Sequence, residues 1–207
     1  MEAVLESMLS TINGLPAWET LAVVLAIAYL LLAVGEHISC WYCAFISTAI
    51  YVFLFWNVSL LMESALNVFY MAMAIYGWQQ WKYGGRKKSG VPISTLGLRQ
   101  NILIIGGILV ITLVSGSLLS QHSDAAWPYV DSFTTWASVI TTVMVAKKIL
   151  ENWLYWLVID SISIPLYVDR GLYPTAMLFV AYLIIVIFGY IKWRRHYLEQ
   201  QSLAATV

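Results

Sequence analysis

Three residues in the stretch ENWLYWLVID, Glu151 to Asp160, have the types and the spacing to hold a flat cation. Trp153, Trp156 and Asp160 stand at i, i+3 and i+7, which on a helix places them on one face. Indole rings present electron-rich faces on which an aromatic ring stacks, and a carboxylate neutralises positive charge. The run around them is otherwise apolar. Counting about 1.5 Å per residue from its start near Glu151, Asp160 lies roughly 13 Å in, near the middle of a hydrocarbon core about 30 Å thick. A carboxylate at that depth needs a partner or a wet cavity. The competing reading is an Asp160 hydrogen-bonded to Ser161, Ser163 or another helix, with the tryptophans filling the bundle.

A second set of polar groups sits further upstream. Glu63, Asn67, Tyr70, Ala74 and Trp78 form a stripe at helical spacing, and Asn67 falls at about the depth of Asp160. Ligand binding and helix-to-helix hydrogen bonding both account for Asn67 and Tyr70. Glu63 lies nearer an interface, where hydration explains it as well as ligation does. Trp136, next to Thr134 and Thr135, either closes the site from another side or packs in the core. Trp18, Trp41, Trp56, Trp78, Trp81, Trp127 and Trp193 lie near segment ends, where interfacial anchoring accounts for them.

Other chemistry finds no footing. The chain lacks a GxxxxGK[ST] phosphate loop, an HExxH pair and a GxSxG elbow, and His37, His122 and His196 are scattered, so neither an enzyme nor a metal or other cofactor is expected. Cys40 and Cys43 form a CWYC sequence, but no βαβ pattern surrounds it, and packing at the start of an apolar helix is the reading it supports.

The elements that must position these residues follow from composition. The 207 residues are 61% hydrophobic and 11% charged, with a mean hydropathy of +0.77, which is an integral membrane composition. Net charge is zero, so no nucleic-acid partner is expected. Glu2 and Glu6 occupy the place where a cleavable signal carries positive charge, so residues 1–17 are expected to stay as a surface segment. With about 20 apolar residues needed per span, seven segments emerge at about 18–35, 38–56, 58–80, 101–119, 128–146, 151–168 and 172–192. Lys82, Arg86, Lys87, Lys88 and Arg99, then Lys147 and Lys148, then Lys192, Arg194 and Arg195 all fall on one side of a seven-span arrangement. Arg170, beside Asp169, is the exception. That predicts an outer N-terminus and a cytoplasmic C-terminus.

Sliding the sequence by 112 residues superposes Trp41 on Trp153, Tyr70 on Tyr182, Gly77 on Gly189, Trp81 on Trp193 and Glu19 on Asp131 without a gap. Three helices cross a membrane an odd number of times, so two copies share an orientation only if one more helix reverses the chain between them. The sequence therefore predicts an all-α integral membrane protein with a 3+1+3 parallel repeat. Its parts are a first three-helix repeat at 18–81, a basic cytoplasmic loop at 82–100, a linker helix at 101–121, a second repeat at 128–193 and a cytoplasmic tail at 194–207.

Two stretches, LNVFYMAMAIYGWQQW (Leu66 to Trp81) and KKILENWLYWLVIDSISIPLYVDRGLY (Lys147 to Tyr173), resemble the third-helix ending and the tryptophan-rich sixth helix of the PnuC-type vitamin transporters. The resemblance covers nearly the whole chain. It implies seven helices in SWEET-like three-helix repeats, a homotrimer with one pathway per protomer, and a place in the bacterial inner membrane. It further implies facilitated diffusion of a vitamin that a cytoplasmic kinase then traps. Carried over, Trp153, Trp156 and Asp160 match the substrate motif, and Asn67 and Tyr70 fall on the third-helix stripe. Asn67 and Asp160 stand where the family's nicotinamide riboside carriers have Gln and Asn. A carboxylate accepts directly from an exocyclic amine and offsets a permanent cation, which tips the expectation slightly to thiamine, with nicotinamide riboside as the alternative. A non-transporting receptor or assembly subunit and an ion-coupled carrier titrating Asp160 are the other classes. Vesicle uptake and an imposed ion gradient separate them.

Overall fold

The computed structural model describes residues 17–57, 61–85, 88–122, 127–169 and 173–205. The expected surface segment up to Pro16, Arg86 and Lys87 of the basic loop, and Arg170 and Gly171 lie outside the described residues, as does the side chain of Glu63. The described residues form the helices α1 (Ala17–Val34), α2 (Cys40–Asn57), α3 (Leu61–Tyr83), α4 (Leu98–His122), α5 (Pro128–Ala146), α6 (Asn152–Asp169) and α7 (Tyr173–Ala205). Four of these, α1, α2, α4 and the Ala176–Leu203 stretch of α7, are long and apolar enough to cross a membrane. The other three carry polar residues within the span, among them Asn67 of α3, Thr134 and Thr135 of α5 and Asp160 of α6.

Some helix boundaries have a plain local cause. Pro128 opens α5, where its missing N–H is no loss. Pro165 lies inside α6, which continues to Asp169. The last helix runs on to Ala205, so residues 194–205, expected as a tail, continue α7. The segment between α3 and α4 is stitched down: the Ser94 N–H donates to the Lys148 carbonyl at 3.0 Å, and the Leu150 N–H to the Ser94 carbonyl at 2.8 Å. The Leu96 N–H donates to the Glu151 carboxylate at 3.1 Å, which gives Glu151 a structural task.

Packing runs α1 on α2 on α3 and α5 on α6 on α7, with α3 against α5 and α1 against α7 joining the two groups. The helix α4 packs on α5, and its Ile102, Leu103, Val110 and Val114 are exposed, a face suited to lipid. The corners after α1 and α5 match bond for bond at a spacing of 112. The His37 N–H donates to the Leu32 carbonyl and the Ile149 N–H to the Met144 carbonyl; the Glu36 N–H donates to the Ala33 carbonyl and the Lys148 N–H to the Val145 carbonyl. Both are Schellman ends with a left-handed residue, Glu36 at φ 53 and Lys148 at φ 51.

The buried core holds a chain of tryptophans. Trp41 meets Trp81 edge to face at 5.4 Å, and Trp153 meets Trp193 likewise at 5.4 Å. Trp81 and Trp193 connect the pairs at 6.0 Å. The Trp81 indole donates to the Val145 carbonyl at 3.2 Å, and the Trp193 indole to the Ala33 carbonyl at 3.1 Å, so each half caps the other's corner. Cys40 is buried beside this chain and both cysteines are free, as the packing reading expects.

The two corners also meet directly. Lys148 Nζ donates to Glu36 Oε2 at 2.9 Å, His196 Nδ1 lies 2.6 Å from Glu36 Oε1, and the ammonium sits 4.7 Å from the Trp81 ring centre. A non-glycine residue in the left-handed region costs about 1–2 kcal/mol, and here the ion pair across the corners offsets it. Burial opposes ionisation of Glu36, yet the hydrogen bonds from Lys148 and His196 outweigh it and hold the carboxyl below its ordinary 4.5. A lowered folded-state pKa means that this stability is present above the unfolded value and is lost as pH falls through the folded one. We therefore expect Glu36→Gln to cost about 1–3 kcal/mol at pH 7. The deficit should shrink below about pH 4.5 when thermal unfolding is followed in detergent against pH. A pH-independent deficit would contradict the charge assignment.

Candidate functional site

Between the two groups of helices lies a cavity of about 620 Å³, within the roughly 300–1,000 Å³ usual for small-molecule sites. Several of its wall residues are 112 apart: Ala26 and Ser138, Ala33 and Val145, Phe55 and Tyr167, Tyr70 and Tyr182. A cavity lined in this way sits where the two groups face one another.

The helix α6 supplies Trp153, Trp156, Asp160 and Ser163 to the wall. Asp160 is 4% exposed, and no hydrogen bond or ion pair to its carboxylate occurs among the described residues. The serines offered as its partners bond elsewhere. Ser161 donates to the Leu157 carbonyl at 2.7 Å and Ser163 to the Ile159 carbonyl at 2.9 Å. The structure thus removes the intrahelical explanation for this charge, and the cavity is what it faces.

The two tryptophans differ. Trp153 is 1% exposed, with its ring against Gly189 and edge-on to Trp193, and only part of it borders the cavity. Trp156 is half-buried and keeps more of its surface free for stacking. On α3, Tyr70 lines the cavity, whereas Asn67, buried at 9%, is not among the lining residues. Glu63 has no described side chain. Trp136 does not line the cavity: its indole donates to Ser115 of α4 at 3.2 Å, which fixes it on the side away from the site. The neighbours Thr134 and Thr135 take the cavity side of α5 instead.

Residues that helical spacing did not single out complete the wall. Tyr29 comes from α1, Asp131 and Ser138 from α5, and Phe179 and Tyr182 from α7, where Phe179 touches Tyr167 at 4.9 Å and Tyr182 at 5.5 Å. The 112-residue match of Tyr70 to Tyr182 was a usable signal for one of them. The chemistry on offer is an aromatic box with hydroxyl groups and two carboxylates. Among the described residues no group of three or more His, Cys, Asp or Glu is placed to hold a metal ion.

Comparison with known proteins agrees with this geometry. Residues 16–195 match the family described as nicotinamide mononucleotide transporter. The nicotinamide riboside transporter PnuC of Escherichia coli (strain K12) is 24% identical over 198 residues, covering 84% of this chain and 83% of that protein. The riboflavin/roseoflavin transporter RibM of Streptomyces davaonensis is 27% identical over 128 residues, covering 59% of each. The crystal structure of the vitamin B3 transporter PnuC superposes with a TM-score of 0.72 at 22% identity, covering 95% of this chain and 89% of that one, and so shares its fold. The chain belongs to the nicotinamide mononucleotide transporter family, the PnuC-type vitamin transporters of multi-pass inner-membrane architecture, and is not an enzyme.

Proposed function

We propose that this protein carries a cationic aromatic vitamin across the inner membrane, and that nicotinamide riboside is its substrate. The observation that carries the reading is Asp160, a buried carboxylate without a protein partner on the wall of an aromatic cavity. A positively charged guest is the missing partner. The slight preference for thiamine drawn from Asp160 gives way: nicotinamide riboside is equally a permanent aromatic cation, and PnuC relatives named for it match most of the chain.

In this mechanism Trp156 stacks the pyridinium with Trp153 behind it, Asp160 compensates the charge, and Tyr70 hydrogen-bonds the guest. Asn67 supports the same face from α3, and Glu63 lies toward the outer end of that helix. The site is exposed alternately to the two sides by rocking of two three-helix units, α1–α3 and α5–α7, joined by α4 in a 3+1+3 SWEET-like parallel repeat. Support comes from the matched corners, the matched tryptophan pairs and the paired wall positions at a spacing of 112. Pro165 interrupts the hydrogen bonding of α6 and gives that helix a place to flex. The corner that holds Glu36 and Lys148 faces the cytoplasm, following the basic residues around it, and the N-terminus lies outside. Transport is by facilitated diffusion in a homotrimer, with a cytoplasmic kinase trapping the product.

Reconstituted into vesicles, the purified chain should equilibrate nicotinamide riboside faster than thiamine, and an imposed proton or sodium gradient should drive no accumulation. Thiamine uptake exceeding that of nicotinamide riboside would return the substrate to the other vitamin. Absence of any uptake would leave a receptor or assembly role.

A further inference from the structure

The cavity carries a second carboxylate that the binding site just proposed does not use. Asp131 lies in the first turn of α5 and, half-buried, lines the same cavity as Thr134, Thr135 and Ser138. These four stand at i, i+3, i+4 and i+7, one continuous face of the helix. The ends of α5 and α6 that hold Pro128 and Asp169 are adjacent, since the Trp127 indole donates to Asp169 at 2.8 Å. Counting about 1.5 Å per residue from those ends, Asp131 lies about 4–5 Å in and Asp160 about 13 Å in. Asp131 is therefore roughly 9 Å nearer that end along the axis.

Among the described residues the wall contains no lysine, arginine or histidine, so Asp131 and Asp160 carry the formal charge described there. Asp160, 4% exposed and unpartnered on the same wall, independently marks the cavity as one that takes a cation. Between the two carboxylates the hydroxyl of Thr134 is bonded to the carbonyls of Val130 at 3.1 Å and Asp131 at 3.0 Å, so what it offers a guest is oxygen lone pairs. The arrangement is one-sided. Glu19, the residue 112 positions before Asp131, is not among the lining residues.

We infer that Asp131 is an outer capture subsite, where an aromatic cation is first held before it moves along the Thr134–Ser138 face of α5 to Asp160. The inference rests on the transport reading above and adds to it a waiting position and a side of entry. A low-dielectric cleft lined by one sign of charge concentrates the opposite charge, and its effect falls on capture rather than on the later conformational step.

The test uses the full chain in vesicles with nicotinamide riboside as the probe, comparing wild type, Asp131→Asn and Asp131→Glu at low and high ionic strength. Asp131→Asn should raise KM about tenfold while kcat stays within about twofold, and Asp131→Glu should restore most of the lost affinity. Wild-type kcat/KM should fall as salt rises and that dependence should flatten in Asp131→Asn, a reading that also checks the idea in the unmodified protein. A KM for Asp131→Asn within twofold of wild type, a Glu variant no better than Asn, or a salt-independent wild type would overturn the capture subsite while leaving Asp160 and transport standing. Wild-type protein with no uptake at all would instead overturn the transport reading, and the capture subsite with it.

Discussion

Asp160→Asn is expected to make the empty protein more stable, and Asp160→Ala to remove at least about a hundredfold of its affinity for nicotinamide riboside. The two effects share one cause. The carboxylate is 4% exposed, and neither Ser161 nor Ser163 donates to it, so the empty protein bears the cost of a buried charge without a compensating partner. An amide of the same shape removes that cost, and we expect a gain of about 1–3 kcal/mol in thermal unfolding in detergent. In the complex the sign reverses, because the guest's positive charge loses the group that neutralises it. Asp160→Asn, which keeps the side chain's size and an accepting oxygen, should lose less affinity than Asp160→Ala, and Asp160→Glu, which keeps the charge but shifts it by about one methylene, should retain part of it. Titration calorimetry beside melting curves reads both halves. Affinity for Asp160→Ala within threefold of wild type would sink the assignment, and a lowered melting temperature for Asp160→Asn would show that Asp160 has a structural partner after all.

Much of this site was legible in the sequence, because the features that define it are local. Helical periodicity puts Trp153, Trp156 and Asp160 on one face, and the length of a span gives Asp160 its depth. All three line the cavity. What periodicity cannot supply is the direction in which a helix turns that face relative to its neighbours. Trp136 and Thr134 are two residues apart on α5, yet the first bonds to Ser115 of α4 and the second lines the cavity. The choice between them depends on where α4 docks, a fact of tertiary packing. Asp131 was visible as the match to Glu19, but only the closed bundle distinguishes the carboxylate that enters the wall from the one that does not.

The 112-residue offset has a similar history. It was read from tryptophans and glycines, and in the structure those same residues touch: Trp41 lies on Gly77 and Trp153 on Gly189. The offset also aligns Glu36 with Lys148, opposite charges in a sequence register where a repeat would ordinarily keep like with like. Sequence comparison alone treats that as a mismatch. In three dimensions the two residues meet across the two groups of helices at 2.9 Å, and an ion pair there needs the two positions to carry opposite charges. The difference in charge at this position is what allows the corners to lock.

Gly77→Ala and Gly189→Ala then distinguish the packing task of the tryptophans from their task at the site. A Cβ on Gly77 would lie 2.3 Å from Cζ2 of Trp41, and one on Gly189 would lie 2.6 Å from Cε3 of Trp153, both far inside van der Waals contact. Alanine ordinarily favours a helix over glycine by about 1 kcal/mol. Here that gain meets two indoles that are 2% and 1% exposed and wedged edge-on against Trp81 and Trp193, so neither ring has room to retreat. Overpacking of this kind costs about 1–3 kcal/mol, and we expect both variants to melt below wild type by similar amounts. Their effects on transport should diverge. Trp153 borders the cavity and Trp41 does not, so Gly189→Ala should raise KM for nicotinamide riboside several-fold beyond any change in Gly77→Ala. Equal KM values in the two variants would make Trp153 a packing residue alone, and would leave Trp156 and Asp160 to hold the guest. A rise in melting temperature for either variant would show that the indole behind it yields, and that the tryptophan chain is less rigid than its edge-to-face geometry implies.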